Sequence, residues 1–308
     1  MSLPVHVPVL LDEVLAGLQP QRGGYFVDCT VGLGGHAAAI LEKISPSGRL
    51  LGIDTDPEAI KLSQDKLVDY GEAITLVNDN FINLEDICER YHFHPVDGIL
   101  FDLGVSSLQL DTAERGFSFH LDAPLNMRFD AGQELTASDI VNNFSEQELA
   151  KLIEKYGEER HSRRIARYIV QNRPIATTVE LARLIEQASR GKRARIHPAT
   201  RTFMALRIAV NSELQNLELA LQQTINILRP GGRLIVISYH SLEDRIVKRF
   251  MRDAASSCLC PPGTVMCRCG HQPTLKLISR KVIKPTSLET ESNPRSRSAK
   301  LRIAERLN

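Results

Sequence analysis

The sequence predicts an α/β protein in which a mostly parallel sheet, covered by helices, is interrupted by an inserted helical domain. Three observations lead there. Over the first hundred residues, short apolar runs alternate with helical segments, as in βαβ units. From 110 to 210 that alternation stops and the reading is helical and polar. After 210 the α/β pattern resumes. One discontinuous domain, 1–109 with 211–308, is therefore expected around an inserted helical domain at 110–210.

Each element has a local reason. Residues 25–31 are apolar and extended, Gly32 to Gly35 break the run, and 37–44 read as a helix. A second strand spans Arg49–Asp54. The next helix covers 57–68, with Pro57 suited to its first turn. Residues 74–77 and 96–103 are the third and fourth strands. Strands separated by helical crossovers pair in parallel and are buried on both faces. In the insertion, Ser145-Glu146-Gln147-Glu148 is a capping box ahead of Leu149, Leu152, Ile153 and Tyr156, with a stop at Gly157. Thr177-Thr178-Val179-Glu180 is a second cap, before Leu181, Leu184 and Ile185. Downstream, 212–228 is an amphipathic helix, Arg229-Pro230-Gly231-Gly232 a turn and 233–239 a strongly apolar strand. A helix at 242–251 precedes closing strands at 275–283 and 300–304.

Composition narrows the function classes. With 43% hydrophobic and 24% charged residues the 308-residue chain has the make-up of a globular protein. There is no Trp, which argues against broad aromatic platforms for single strands. Asp12 and Glu13 interrupt the N-terminal apolar stretch, so neither an export signal nor a membrane span is expected. Six cysteines without an export signal read as reduced thiols, hence a cytoplasmic protein. The net charge of +1 conceals an asymmetry. Residues 1–150 hold 8 Lys/Arg against 24 Asp/Glu, residues 151–210 hold 14 against 5, and residues 276–308 hold 9 against 3. Solvated helix faces account for any one cluster, but two separate basic regions point to a nucleic-acid partner.

Asp28-Cys29-Thr30-Val31-Gly32-Leu33-Gly34-Gly35-His36 follows the first strand and opens the first long helix. Glycines there admit close backbone approach and aim helix N–H groups at an anionic end of a ligand. Asp54 ends the second strand, where a carboxylate can bind ribose hydroxyls. The same residues satisfy a dinucleotide fingerprint, so this signal alone leaves a nicotinamide-dependent oxidoreductase open. Asp79-Asn80-Phe81 follows the third strand, and Phe81 suits either an adenine face or the core. Asp102-Leu103-Gly104 closes the fourth strand at the edge where such sheets place ligands.

From this loop onward the residues resemble a known family. Asp102-Leu103-Gly104-Val105-Ser106-Ser107, Gln109-Leu110-Asp111 and Glu114-Arg115-Gly116-Phe117-Ser118-Phe119 are similar to motifs of the bacterial 16S rRNA (cytosine-N4)-methyltransferases, the MraW family. So are Tyr156-Gly157-Glu158-Glu159-Arg160, His197-Pro198-Ala199-Thr200-Arg201-Thr202-Phe203 and Asn211-Ser212-Glu213-Leu214. Ser238-Tyr239-His240-Ser241-Leu242-Glu243-Asp244-Arg245, Asn293-Pro294-Arg295-Ser296-Arg297-Ser298 and the opening His6-Val7-Pro8-Val9-Leu10-Leu11 extend the likeness across nearly the whole chain. The resemblance implies a class I, Rossmann-like methyltransferase with S-adenosylmethionine (S-adenosyl-L-methionine) as donor. Its acceptor would be the N4 amine of a decoding-centre cytosine in 16S rRNA within the 30S subunit. Carried over by position, Gly34, Gly35, His36, Asp54, Phe81, Asp102 and Gln109 are the cofactor residues, and Asp102 is the catalytic one. Leu108 stands where the family commonly has proline, and Asn126 where it commonly has aspartate.

An exocyclic amine is a poor nucleophile because its lone pair is delocalised, so the reaction needs positioning and acceptors for the N–H groups. Asp102 and carbonyls of the loop to Ser107 are the candidates. No covalent intermediate is needed, and no Pro-Cys pair is found. The target base must be unpaired or flipped. Arg163, Arg164, Arg167, Arg190, Lys192, Arg193 and Arg195 would hold its phosphates, while His197, Arg201, Tyr239 and His240 line the cleft or serve the fold. The cysteines 258, 260, 267 and 269, with His271, offer zinc ligands. Their C-x-C spacing is tighter than usual, and ordinary thiols with no metal are expected. Besides the oxidoreductase, a non-catalytic RNA- or DNA-binding protein on a methyltransferase fold is the alternative. No membrane partner is expected, and a homodimer is left open.

Overall fold

The computed structural model describes residues 7–189, 196–261, 263–264 and 266–308. From the N-terminus run α1 (Leu11–Leu18), β1 (Tyr25–Asp28), α2 (Gly35–Ile44), β2 (Arg49–Asp54), α3 (Pro57–Lys66), β3 (Ile74–Asn78), α4 (Leu84–Arg90) and β4 (Val96–Asp102). Six helices follow: α5 (Ser107–Asp111), α6 (Ala137–Asn143), α7 (Glu146–Gly157), α8 (Ser162–Gln171), α9 (Thr178–Ala188) and α10 (Ala199–Asn211). The chain then forms α11 (Glu213–Ile227), β5 (Leu228–Ser238), α12 (Ser241–Ala254), β6 (Leu275–Leu277), α13 (Ser287–Ser292) and β7 (Lys300–Arg306). Two compact units result, Met1–Gly104 with Leu214–Asn308, and Val105–Glu213.

The first unit is a seven-stranded sheet of order β3-β2-β1-β4-β5-β7-β6. Strands β1 to β5 pair in parallel, and β7 runs antiparallel to both β5 and β6. Successive side chains on a strand point to opposite faces, and here both faces are apolar. Val27, Leu51, Ile53, Ile99 and Phe101 belong to one buried cluster, while Phe26, Leu50, Leu100 and Ile235 belong to another. Fully burying each such side chain contributes roughly 1.5–3 kcal/mol, so these strands are a poor fit for any solvent-facing arrangement. The order matches a Rossmann-like class I sheet. It differs from the dinucleotide-binding order 3-2-1-4-5-6 by the antiparallel β7 lying between β5 and β6.

Three elements differ from the sequence reading. The expected turn at 229–232 lies inside β5: Leu228 pairs with Val96 and Arg233 with Gly98, so the intervening residues bulge, with Gly231 at φ 80°. The expected strand at 275–283 is short, because only Leu275–Leu277 pairs with β7 and Ile283 makes a single bridge to Leu301. Helix α1 was not expected. It lacks a side-chain cap, and its signal is confined to eight residues of which Val14, Gly17 and Leu18 are buried.

The second unit is helical, with an isolated bridge between Pro124 and Thr177. Ser145 and Glu148 close the capping box of α7, and Thr177 and Glu180 that of α9, as their spacing predicts. Helix α8 buries Ile165, Ala166 and Ile169 and exposes Arg163, Arg164 and Arg167 on the opposite stripe. Its apolar side joins Leu149, Ile153, Leu181, Ile185, Phe203 and Leu206 in one core.

Candidate active site

Strand order reverses between β1 and β4, which makes the carboxyl ends of those strands the switch point where open α/β sheets take ligands. Three carboxylates end strands there: Asp28 on β1, Asp54 on β2 and Asp102 on β4. The chain leaving β1 is tied to its neighbours through them. Gly32 N–H donates to Asp54 Oδ2 at 2.9 Å, and Asp56 N–H to Oδ1 at 2.9 Å. Thr30 N–H donates to Asp28 Oδ1 at 3.2 Å, while Asp102 N–H donates to Thr30 Oγ1 at 2.7 Å. Gly34 precedes α2 at φ 71°, and a Cβ there would come within 3.2 Å of Leu67. At Gly32, φ 51°, an added Cβ would meet only Thr30 O at 3.8 Å, so the loop backbone is open to an approaching group on that side.

Asp102 is held by side chains rather than by backbone N–H groups. Its Oδ1 accepts from Tyr239 Oη at 2.8 Å, and its Oδ2 lies 3.6 Å from His36 Nδ1. Burial raises its pKa, opposed first by His36 and then by the Tyr239 hydrogen bond, with Glu243 adding to the rise. The side chain keeps 20% of its surface exposed, enough for a ligand to reach it. Asp28 is fully buried, and that burial pushes its pKa up to about 8; Thr30 N–H works against the rise, while Asp102 and Asp54 add to it. Asp28 is thus a neutral acid at physiological pH. It carried no role in the sequence reading, because only the fold reveals its burial. Tyr239 is a holder of Asp102 rather than a base-contacting residue on this geometry, and burial with the adjacent Asp102 carboxylate pushes its hydroxyl pKa well up.

His36 sits in the first turn of α2, buried, with Nε2 3.0 Å from Val9 O. A carbonyl only accepts, so Nε2 carries the proton and Nδ1 turns to Asp102. The N-terminal strip is fixed from the far end of the chain: Leu10 N–H donates to Glu289 Oε1 at 2.8 Å and Asn293 Nδ2 to Val7 O at 3.1 Å. Gly35 lies against it, since a Cβ at that position would fall 2.6 Å from Pro8. The family-like motifs at both termini therefore meet beside the glycine loop. His6 lies outside the described residues.

Phe81 opens a short turn capped by Asn80 and packs edge-on against Phe101, centroids 5.6 Å apart, while keeping part of its surface exposed. In the second unit, Gln109 is buried and closes the capping box of α5: Ser106 N–H donates to its Oε1 and its own N–H donates to Ser106 Oγ. Asn126 accepts from Arg128 Nε at 2.8 Å through its amide oxygen, the bond an aspartate would make. His197 has a structural setting: Nε2 meets Glu186 Oε1 at 2.7 Å, Nδ1 accepts from Ala199 N–H, and the ring stacks on Phe119. Arg201 pairs with Glu159 at 3.5 Å. In the first unit His240 caps α12 through Nδ1 and lies 3.1 Å from Glu243 Oε1. The basic residues 190, 192, 193 and 195 lie outside the described residues. Among the described residues, no helix is long and apolar enough to cross a membrane.

The sequence matches the MraW methylase family over residues 4–307. A Dehalococcoides mccartyi protein named ribosomal RNA small subunit methyltransferase H is 58% identical over 302 residues, covering 98% of this chain and 86% of its own. Proteins of the same name from Thermomicrobium roseum and Brevibacillus brevis are 51% and 49% identical, covering 98% of this chain and 94% and 98% of theirs. Among solved structures, a putative rRNA methylase from Clostridium thermocellum aligns over 98% of this chain and 100% of its own, at 14% identity and a TM-score of 0.47. With a family match along almost its entire length and relatives close to three-fifths identical, the chain belongs to the MraW methylase family.

Proposed function

We propose that this chain methylates the exocyclic N4 amine of a decoding-centre cytosine in 16S rRNA, acting on the small ribosomal subunit. Membership in a methylase family and relatives named for small-subunit rRNA support the broader activity, S-adenosylmethionine-dependent methylation of rRNA. The choice of N4 and of the decoding centre rests on the resemblance of the motifs that run from the loop Asp102 to Ser107 through Asn293 to Ser298. The observation that carries the chemistry is Asp102: a partly exposed carboxylate at the switch point, gripped by Tyr239 and faced by His36.

The residues fit the donor. The open backbone at Gly32, the N-terminal turn of α2 and the Asp54 carboxylate suit an amino-acid end and ribose hydroxyls. In the first unit Gly34, Gly35, His36, Asp54, Phe81 and Asp102 would hold it, while a part for Gln109 rests on the resemblance alone. Bound S-adenosylmethionine supplies an electrophilic methyl group on a positively charged sulfur. Asp102 accepts an N–H of the amine, which draws the nitrogen lone pair out of conjugation with the ring and gives the departing proton an acceptor. Tyr239 fixes the carboxylate so that this acceptor is in place before the base arrives. In the second unit, the exposed Arg163, Arg164 and Arg167 of α8 hold phosphates of the RNA.

The test uses 30S particles from cells lacking this gene, incubated with the purified chain and methyl-labelled S-adenosylmethionine, and read by nucleoside mass spectrometry. N4-methylcytidine is the expected product. Label on another nucleoside would overturn the N4 assignment, and no label in particles or naked rRNA would overturn the rRNA substrate.

A further inference from the structure

Cys258, Cys260, Cys267 and Cys269 take no part in the chemistry above, yet the fold gathers them. They lie on the segment between α12 and β6, and their four Sγ atoms all fall within 4.8 Å of one another. The measured separations are 3.3 Å for Cys258–Cys267, 3.4 Å for Cys267–Cys269, 3.7 Å for Cys258–Cys269 and 4.0 Å for Cys260–Cys267. All are far longer than the ~2.05 Å of a disulfide. They bracket the edge of a tetrahedron with metal–sulfur bonds of ~2.3 Å, about 3.8 Å.

We propose that these four cysteines form a mononuclear, four-thiolate zinc site. Ordinary thiols were expected from the tight C-x-C spacing, but the two pairs approach from opposite arms of the loop, and the four sulfurs fit one ion. An all-thiolate set selects soft or borderline metals over magnesium or calcium. In polynuclear iron–sulfur clusters the thiolates sit on different irons, which needs a wider spread than this one. Backbone N–H groups already point at the sulfurs: Leu259 N–H at Cys269 Sγ and Cys260 N–H at Cys258 Sγ, each 3.4 Å. Such bonds offset the negative charge that four thiolates leave on a divalent ion. His271 is not a ligand. Its Nε2 lies 3.0 Å from Asp253 O and, with Thr274 N–H on Ala254 O at 2.8 Å, closes the base of the loop.

The site is structural rather than catalytic, since four thiolates leave no open coordination position. Its work is to order a loop that has little core of its own: Cys258, Cys267 and Cys269 are exposed, as are Leu259 and Met266. Metal coordination supplies the cross-link that burial does not.

The experiment measures metal in the full chain, purified under reducing conditions without chelator, by inductively coupled plasma mass spectrometry. One zinc per chain is expected, retained on dialysis and released by a mercurial. Cobalt(II) replacement should give the absorption of tetrahedral thiolate coordination. The double variant C267S/C269S should lose the metal and become sensitive to protease within 255–275, while its far-ultraviolet circular dichroism and S-adenosylmethionine affinity stay those of the parent. Zinc far below stoichiometric with four titratable thiols, iron in its place, or two disulfides in the intact mass would each overturn the proposal. These readouts on the parent chain decide the matter even if the variant fails to fold.

Discussion

Replacing Tyr239 by Phe removes one hydroxyl and leaves the ring. The bond lost is the 2.8 Å contact to Asp102 Oδ1. A hydrogen bond to a charged group contributes ~1.5–3 kcal/mol, which at 1.36 kcal/mol per pKa unit corresponds to about 1–2 units. With 20% of the Asp102 side chain exposed, water replaces part of the bond, so the lower end, about one unit, is the expectation. The sign follows from which form the hydroxyl favours. Tyr239 donates to the carboxylate and holds the Asp102 pKa down against the rise from burial, so its loss raises that pKa further. Asp102 then needs a higher pH to become an acceptor. The acid limb of the single-turnover methylation rate should therefore move up by about one pH unit, and the alkaline plateau should fall as well because the carboxylate is no longer fixed in place. The assay follows methyl-labelled product across pH 5–9 under S-adenosylmethionine saturation, with thermal unfolding as the control for folding. An acid limb at the parent position in a folded Tyr239→Phe protein would refute the assigned link between this pair and the reaction.

Asp102→Ala should abolish methylation while leaving the unfolding temperature near that of the parent, measured by labelled product and calorimetry; full activity would remove its catalytic role. Asp28, raised from 3.8 to about 8, keeps in the folded state a proton that the unfolded chain has released, so it lowers stability progressively as pH rises from about 4 to about 8. Asp28→Asn should flatten that fall, by at most about 1.4 kcal/mol per pH unit, and a parent-like profile in denaturant titrations would count against the shift. Gly34→Ala forces a side chain into φ 71° and against Leu67, and should cost roughly 1–2 kcal/mol of stability together with S-adenosylmethionine affinity, read by urea unfolding and calorimetry.

What was legible in the sequence was whatever is decided locally. The second strand, Arg49–Asp54, is apolar, short and flanked by Gly48 and Pro57, and the structure has it at those residues. The boxes at Ser145 and Thr177 need only three residues of spacing, so α7 and α9 begin where the sequence puts them. The bulge at 229–232 was read as a turn because Pro-Gly-Gly has the same local preference in both settings; only pairing of β5 with β4 on either side decides between them. Tyr239 and Asp102 are 137 positions apart, and Glu289 and Leu10 are 279 apart. No periodicity reports such contacts. The family-like motifs did mark Leu10, Asp102 and Tyr239, though not Glu289, and they did not mark what these residues touch.

The three strand-ending carboxylates explain one another. Asp28 keeps its proton chiefly because it is buried, and the neighbouring Asp102 and Asp54 carboxylates add to that cost of ionising it. That leaves Asp54, bonded by two backbone N–H groups, and Asp102, bonded by Tyr239, as the residues arranged to carry charge. A protein selected only for stability has no use for this arrangement, because apolar residues at the strand ends would avoid the penalty. A cationic ligand lowers it. A donor carrying positive charge would meet counter-charge in the Asp54 and Asp102 carboxylates at this end of the sheet. The stability given up at the edge of β1, β2 and β4 would then be recovered in part when a cationic donor binds.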